Sequence, residues 1–113
     1  MIRPPIAVLL SGEESNGRLA LVEMTVPARF GGPPLHVHQS WDEAFYVLEG
    51  EIAIRVGDQL VTAGRGRFAF APREMPHTFA NPSGEEARIL IVLNPAGFEK
   101  YLAVELSNKQ RRT

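Results

Sequence analysis

Residues 35–50 read LHVHQSWDEAFYVLEG, and the fold can be read outward from this stretch. His36 and His38 are two positions apart. In an extended chain such residues point to the same face, with Cα atoms about 6.5 Å apart, so two imidazoles can converge on one point. Glu43, Phe45 and Val47 repeat the same period of two, which reads as a strand over Glu43–Leu48. Gln39–Asp42 form a short connection before it. Glu49-Gly50 then places glycine where a tight turn needs positive φ.

The same pattern continues on both sides. Strands are expected at Ile6–Leu10, Arg18–Val26, Leu35–His38, Glu43–Leu48, Glu51–Val56, Gln59–Thr62, Arg67–Ala71, His77–Ala80 and Ala87–Leu93. Ten glycines and nine prolines fall between these runs rather than inside them. Gly57-Asp58 gives a second tight turn. Strands joined at Glu49-Gly50 and Gly57-Asp58 are expected to be antiparallel neighbours, and so many short strands in one chain suggest a barrel or sandwich. After Leu93 the period changes. Asn94-Pro95 reads as an N-cap followed by proline at the first helical position, and Phe98, Tyr101, Leu102 and Leu106 recur at helical spacing. A short C-terminal helix over about 95–106 is expected to pack on the barrel, followed by a basic tail at 107–113.

At 113 residues, with 44% apolar and 22% charged residues, the chain is sized for one globular domain over 1–113, with its core at about 18–93. The formal net charge of −1 gives no footing for nucleic acid, which requires concentrated positive charge. The absence of cysteine rules out disulfides and thiolate ligands. Ile6–Leu10 is too short for a signal-peptide core or a membrane span, so a cytoplasmic location and no membrane partner are expected.

The chemistry lies in the three histidines. His36, His38 and His77, with a carboxylate from Glu43 or its neighbour Asp42, form a donor set for a borderline divalent metal such as Mn, Fe, Co, Ni, Cu or Zn. Without thiolate, the set leans away from a structural zinc site. Their spacing resembles that of the cupins. The first cupin motif, G-x5-H-x-H-x3,4-E-x6-G, is met by His36, His38, Glu43 and Gly50. The second, G-x5-P-x-G-x2-H-x3-N, is met by Gly66, Pro72, His77 and Asn81. Two positions depart from it: Phe30 stands where the first motif opens with glycine, and Glu74 replaces the glycine inside the second. If that turn uses positive φ, Glu74 carries backbone strain that glycine avoids.

The resemblance implies an all-β double-stranded β-helix, a jelly-roll-like β-barrel, holding one metal ion per chain through His36, His38, His77 and Glu43. Strand parity then turns Phe45, Val47, Phe79 and Asn81 inward as substrate-pocket candidates, with Met75 and Gln39 near the opening. The expected function is that of a metal-dependent oxidoreductase of dioxygenase type, similar to quercetinase-like cupins. It would act on a small aromatic or enol-bearing compound, with Glu43 as the catalytic base. The alternatives are a non-redox metal-dependent isomerase or lyase, and a non-catalytic small-molecule binder. A homodimer is expected from the open strand edges and from the resemblance, with Ile6–Leu10 as a candidate contact.

Overall fold

The computed structural model describes residues 5–102. Among these residues eight strands form two antiparallel sheets: β1 (Ile6–Leu10), β2 (Ala20–Val26), β3 (Asp42–Glu49), β4 (Glu51–Val56), β5 (Gln59–Gly64), β6 (Phe68–Ala71), β7 (His77–Ala80) and β8 (Ala87–Asn94). The larger sheet has the order β1-β2-β8-β3-β6 and the smaller β5-β4-β7. The strict alternation Ala20, Val22, Met24, Val26 buries one face of β2, and Ala87, Ile89, Ile91, Leu93 do the same for β8. Together with Phe45, Val47, Ile52, Ile54 and Phe79 they form one core between the sheets. Period-two side chains with one apolar face leave two sheets no other way to shed water from that face.

Three local expectations are corrected. Leu35–His38 is not a regular strand: His36 alone forms an isolated bridge, to His77. Pro33 and Pro34 precede it and lack the N–H groups a ladder requires, so the segment makes only two isolated bridges, Phe30↔Asn81 and His36↔His77. Secondly, Glu49-Gly50 is not a hairpin between paired strands. β3 and β4 lie in different sheets, and the turn is the corner at which the chain crosses between them. Gly50 has φ 80°, and a Cβ there would stand 2.9 Å from the Ala87 Cβ, so only glycine takes this corner freely. Gly57-Asp58, by contrast, does join the paired strands β4 and β5.

The third correction concerns Asn94-Pro95. Asn94 is the last rung of β8, opposite Asp42, so it continues an extended ladder instead of capping a helix. Residues 95–98 are not helical and helix begins only at residue 99; residues 103–106 of the expected helix and the basic tail lie outside the described residues. The sequence reading also missed a short helix, α1 (Gly12–Ser15), closed by a reciprocal capping box between Ser11 and Glu14. The two segments are tied by Glu99, whose buried carboxylate accepts the Gly12 N–H at 2.8 Å and the Gly97 N–H at 2.6 Å.

Burial opposes ionisation of Glu99, but the donated backbone N–H groups of Gly97 and Gly12 outweigh it and hold its carboxyl below the usual range. A folded-state pKa below the unfolded one adds stability above the unfolded value of about 4.3, lost as pH falls through the folded value. Glu99→Gln is therefore expected to cost about 1–2 kcal/mol at pH 7, since hydrogen bonds to a charged acceptor are the stronger ones. In urea melts the gap between variant and parent should narrow as pH drops below about 4.

The outer face of the larger sheet is unusually apolar. Leu21, Val92, Ala44 and Phe70 stand in one register row across β2, β8, β3 and β6, and Leu90, Tyr46 and Phe68 in the next. Phe68, Phe70 and Tyr46 are 69%, 52% and 41% exposed. Charge appears on this face where Arg88 pairs with Glu23 and Glu49.

Candidate metal centre

The site is assembled from both sheets. Glu43 stands on β3 and shares its inward parity with Phe45 and Val47. His77 opens β7 in the opposite sheet. His36 and His77 exchange both backbone hydrogen bonds, His36 N–H to His77 O at 3.1 Å and His77 N–H to His36 O at 2.9 Å. Directly opposed residues in such a pair carry their side chains on one face, so both rings turn the same way. His38, two residues on, joins them, and its carbonyl accepts the Glu74 N–H at 2.7 Å. The ligand atoms of His36, His38 and His77 all lie within 4.8 Å of one another.

Glu43 completes the cluster. Its Oε1 is 3.3 Å from His38 Nε2 and 3.6 Å from His77 Nε2. Yet these three buried atoms have no aligned hydrogen-bond partner among the described residues. Each orphaned buried polar atom is costly, and three around one point form the arrangement a divalent cation satisfies: imidazole lone pairs and one carboxylate. Asp42, whose assignment the sequence left open, points elsewhere. Its carboxylate accepts from the Arg73 backbone N–H at 2.9 Å and from the Arg73 guanidinium at 3.2 and 3.3 Å.

Two histidines are oriented from behind. Nδ1–H of His36 donates to the Pro34 carbonyl at 2.8 Å, and Nδ1–H of His77 to the Met75 carbonyl at 3.0 Å. A carbonyl only accepts, so in the neutral ring the proton sits on Nδ1 and Nε2 presents its lone pair to the centre. Burial lowers the His36 pKa, and His77 and His38 beside it push the same way against its hydrogen bond to Pro34. His77 moves upward: burial opposes its charged form, but Glu43 and the Met75 carbonyl prevail. Glu43 is desolvated, which favours its neutral form, yet contact with His38 and His77 holds its carboxyl down at about 2.

The pocket candidates divide. Phe45 is fully buried, 6.2 Å from the His77 ring and 5.6 Å from Phe79, and Val47 is likewise fully buried in the core. Met75 is 38% exposed, and Gln39 is exposed. Asn81 is taken up elsewhere. Its amide NH2 donates to the carbonyls of Val26, Pro27 and Glu85, and its oxygen accepts from Ser83. It knots loops together and has no polar group left for a ligand. Glu74 has φ 72°, so the turn keeps the left-handed conformation with a non-glycine residue in it.

Sequence reasoning missed two aromatic residues. Trp41 stacks on His38 with centroids 4.2 Å apart and planes at 28°, and Phe98 stacks on Trp41 at 4.7 Å and 22°. Trp41 sits in the short Gln39–Asp42 connection, which sequence reasoning gives no role at the centre. Phe98 belonged to an expected helical packing stripe, and only the tertiary fold brings it to the histidines.

The family model described as "Cupin domain" matches residues 22–93. Among curated proteins, the uncharacterized protein SCO3923 of Streptomyces coelicolor is 35% identical over 54 residues, 48% of this chain and 50% of that one. The chain thus spans about half the length of that relative. Among solved structures, the protein TT1209 of Thermus thermophilus is 30% identical with a TM-score of 0.69, the match covering 83% of this chain and 90% of that one. The polyketide cyclase RemF of Streptomyces resistomycificus is also 30% identical, with a TM-score of 0.68 and coverage of 82% and 70%.

Proposed function

This chain belongs to the cupin domain family, and from that premise we propose a metal-dependent enzyme that oxygenates a small planar aromatic or enol-bearing compound. The observation that carries this reading is the convergence of Glu43 Oε1, His38 Nε2 and His77 Nε2, buried and without aligned partners, beside an aromatic wall. His36, His38, His77 and Glu43 are the residues to hold the ion. Once bound, a divalent first-row metal supplies Lewis-acid polarisation of a substrate oxygen and, if redox-active, access to oxygen chemistry.

The chain's own groups narrow the substrate. Besides Glu43 and the histidines, the buried polar side chains among the described residues are Asn81 and Glu99, and both are occupied by backbone groups. A polyhydroxylated sugar would find few interior partners, whereas a flat apolar ring matches the aromatic surroundings that Phe45, Phe79, Trp41 and Phe98 give the centre. Glu43 would accept a proton from an enol or catechol oxygen that a bound metal would acidify. A second reading, non-redox cyclisation or isomerisation of the same compound class, draws support from the likeness to the polyketide cyclase. Oxygen uptake on flavonols, catechols and 1,3-diketones with Mn-, Fe-, Ni- or Cu-loaded protein tests the first reading. Metal-dependent turnover under nitrogen, with no uptake in air, would replace it with the second.

The metal site is tested separately. His36→Ala, His38→Ala and His77→Ala are each expected to weaken metal binding about tenfold or more, since no spare histidine or cysteine can substitute. Unchanged metal content in all three by elemental analysis would remove the site. Because the raised pKa of His77 means a proton must leave it, binding should release protons and weaken as pH falls through the imidazole range near 6.5.

We also infer that a second copy covers the outer face of the larger sheet. At roughly 200 Å² per aromatic side chain, the exposed shares of Phe68, Phe70 and Tyr46 alone approach about 300 Å², the size of the largest patch on many monomers. The neighbouring Leu21, Leu90 and Val92 extend it toward the roughly 800 Å² per partner of a stable interface. Phe68→Lys with Phe70→Lys should convert a dimer to monomer in light scattering; a parent that is monomeric at all concentrations refutes the assembly.

A further inference from the structure

The three imidazoles are not held in the same way. His36 and His77 are fixed by Nδ1–H bonds to carbonyls, the usual second support of a metal-binding histidine. Among the described residues the Nδ1 of His38 has no such bond. What holds its ring is a stack. Trp41 lies on it at 4.2 Å and 28°, Phe98 backs Trp41 at 4.7 Å and 22°, and Phe98 also touches His38 at 5.0 Å.

We propose that Trp41, backed by Phe98, is the positioning residue that orients His38 for the metal and strengthens its hold on it. The inference rests on the metal-centre reading above. An imidazole that donates its lone pair to a cation becomes electron-poor, and an electron-poor ring gains from the face of indole as a cation does. The stack is therefore stronger in the metal-loaded protein than in the metal-free one, and that difference appears as affinity.

The indole N–H supports this assignment. Trp41 Nε1 is buried without a hydrogen-bond partner among the described residues, a placement that weakens the metal-free fold. A phenylalanine would fill much of the space without the orphaned donor. The indole is thus poorly explained as packing and well explained by the use of its face. Phe98 lies beyond the 22–93 segment that matches the family, so this support comes from the part of the chain that follows the barrel.

Two readouts separate positioning from packing. Trp41→Phe should leave the metal-free protein as stable as the parent or more so, yet bind metal a few-fold more weakly. Trp41→Leu should bind about tenfold more weakly, within the range for lost outer supports, and shift the visible absorption of the Co(II)-loaded protein. Phe98→Leu should move both in the same direction by less. Trp41 is the only tryptophan, so quenching of its fluorescence by Ni(II), Co(II) or Cu(II) reports the centre directly in the parent, and His38→Ala should move it to about tenfold or more higher metal concentration. Dissociation constants come from chelator competition, with circular dichroism confirming the fold. If Trp41→Leu is unfolded, Trp41→Phe and Phe98→Leu decide. Parent affinity and an unchanged Co(II) spectrum in these folded variants overturn the positioning role while leaving the metal centre intact. No metal binding by the parent overturns the metal reading itself.

Discussion

Gly32→Ala is expected to destabilise the protein by about 4 kcal/mol, a large part of the roughly 5–15 kcal/mol that holds a domain folded. Gly32 has φ 80°, and a Cβ built on it would lie 1.8 Å from the carbonyl oxygen of Phe79. The obstacle is backbone, not a side chain that can swing aside. Relief requires moving either the Gly31-Gly32 turn or β7. The φ alone costs an alanine about 1–2 kcal/mol, and forcing a close-packed neighbour apart adds about 1–3 kcal/mol. At roughly 4–8 °C per kcal/mol for a domain near this size, the melting temperature should fall by roughly 20 °C. Gly31→Ala is the internal control. Its Cβ would meet nothing within 4 Å, and its change should stay within about 0.5 kcal/mol. Equal melting curves for the two variants would show that the chain does not pass this closely over β7. Because Phe79 is two residues from His77, any folded Gly32→Ala protein should also bind metal more weakly.

That glycine shows where the sequence was legible and where it was not. The motif spacing places the opening glycine at Phe30, and the sequence alone could only suggest a shifted turn. In the structure Phe30 pairs with Asn81, and the close approach falls two residues later. Alternation within a strand is a local property, so the inward faces of β2, β3 and β8 could be read directly. Which strand lies beside which is not local. The turn at Glu49-Gly50 has the residues of a hairpin but serves as a corner between sheets, because the partners of β3 are β6 and β8. Asn94-Pro95 has the residues of a helix start, but the ladder with β3 claims Asn94 first. The missed α1 was legible: Ser11 and Glu14 have the spacing of a capping box.

At the centre, the histidines could be found because a ligand set must be histidine, carboxylate or thiolate, and this chain has only three histidines. The choice between Asp42 and Glu43 was also open to parity. Glu43 shares the period of Phe45 and Val47, while Asp42 shares that of the exposed Tyr46 and finds Arg73 at the surface. The aromatic support had no such signature. Trp41 and Phe98 lie far apart in sequence, and nothing in either neighbourhood announces that they stack.

Glu43→Gln is expected to lower turnover by about 10²–10⁴-fold, the range for loss of a general base, while leaving the shape of the centre almost unchanged. Glutamine matches glutamate in size, so the fold has little reason to respond. What changes is charge. The carboxylate is held at a pKa of about 2, so it is ionised at every physiological pH; on the proposed function it serves as a metal ligand, and as a proton acceptor for a substrate oxygen that a bound metal would acidify. The amide supplies a weaker ligand and no base. Metal content measured with turnover separates these two losses: full loading with slow turnover points to the base, and poor loading to the ligand. The metal-free protein gives a further readout independent of any substrate. Burial alone pushes the His77 pKa down, and Glu43 is the first of the groups that raise it. Removing the negative charge destabilises the imidazolium, so His77 should titrate lower in Glu43→Gln than in the parent when followed by NMR. An unchanged His77 titration would mean that Glu43 and His77 do not face each other across the barrel. Full turnover in a loaded Glu43→Gln protein would mean that the reaction needs no base at this position.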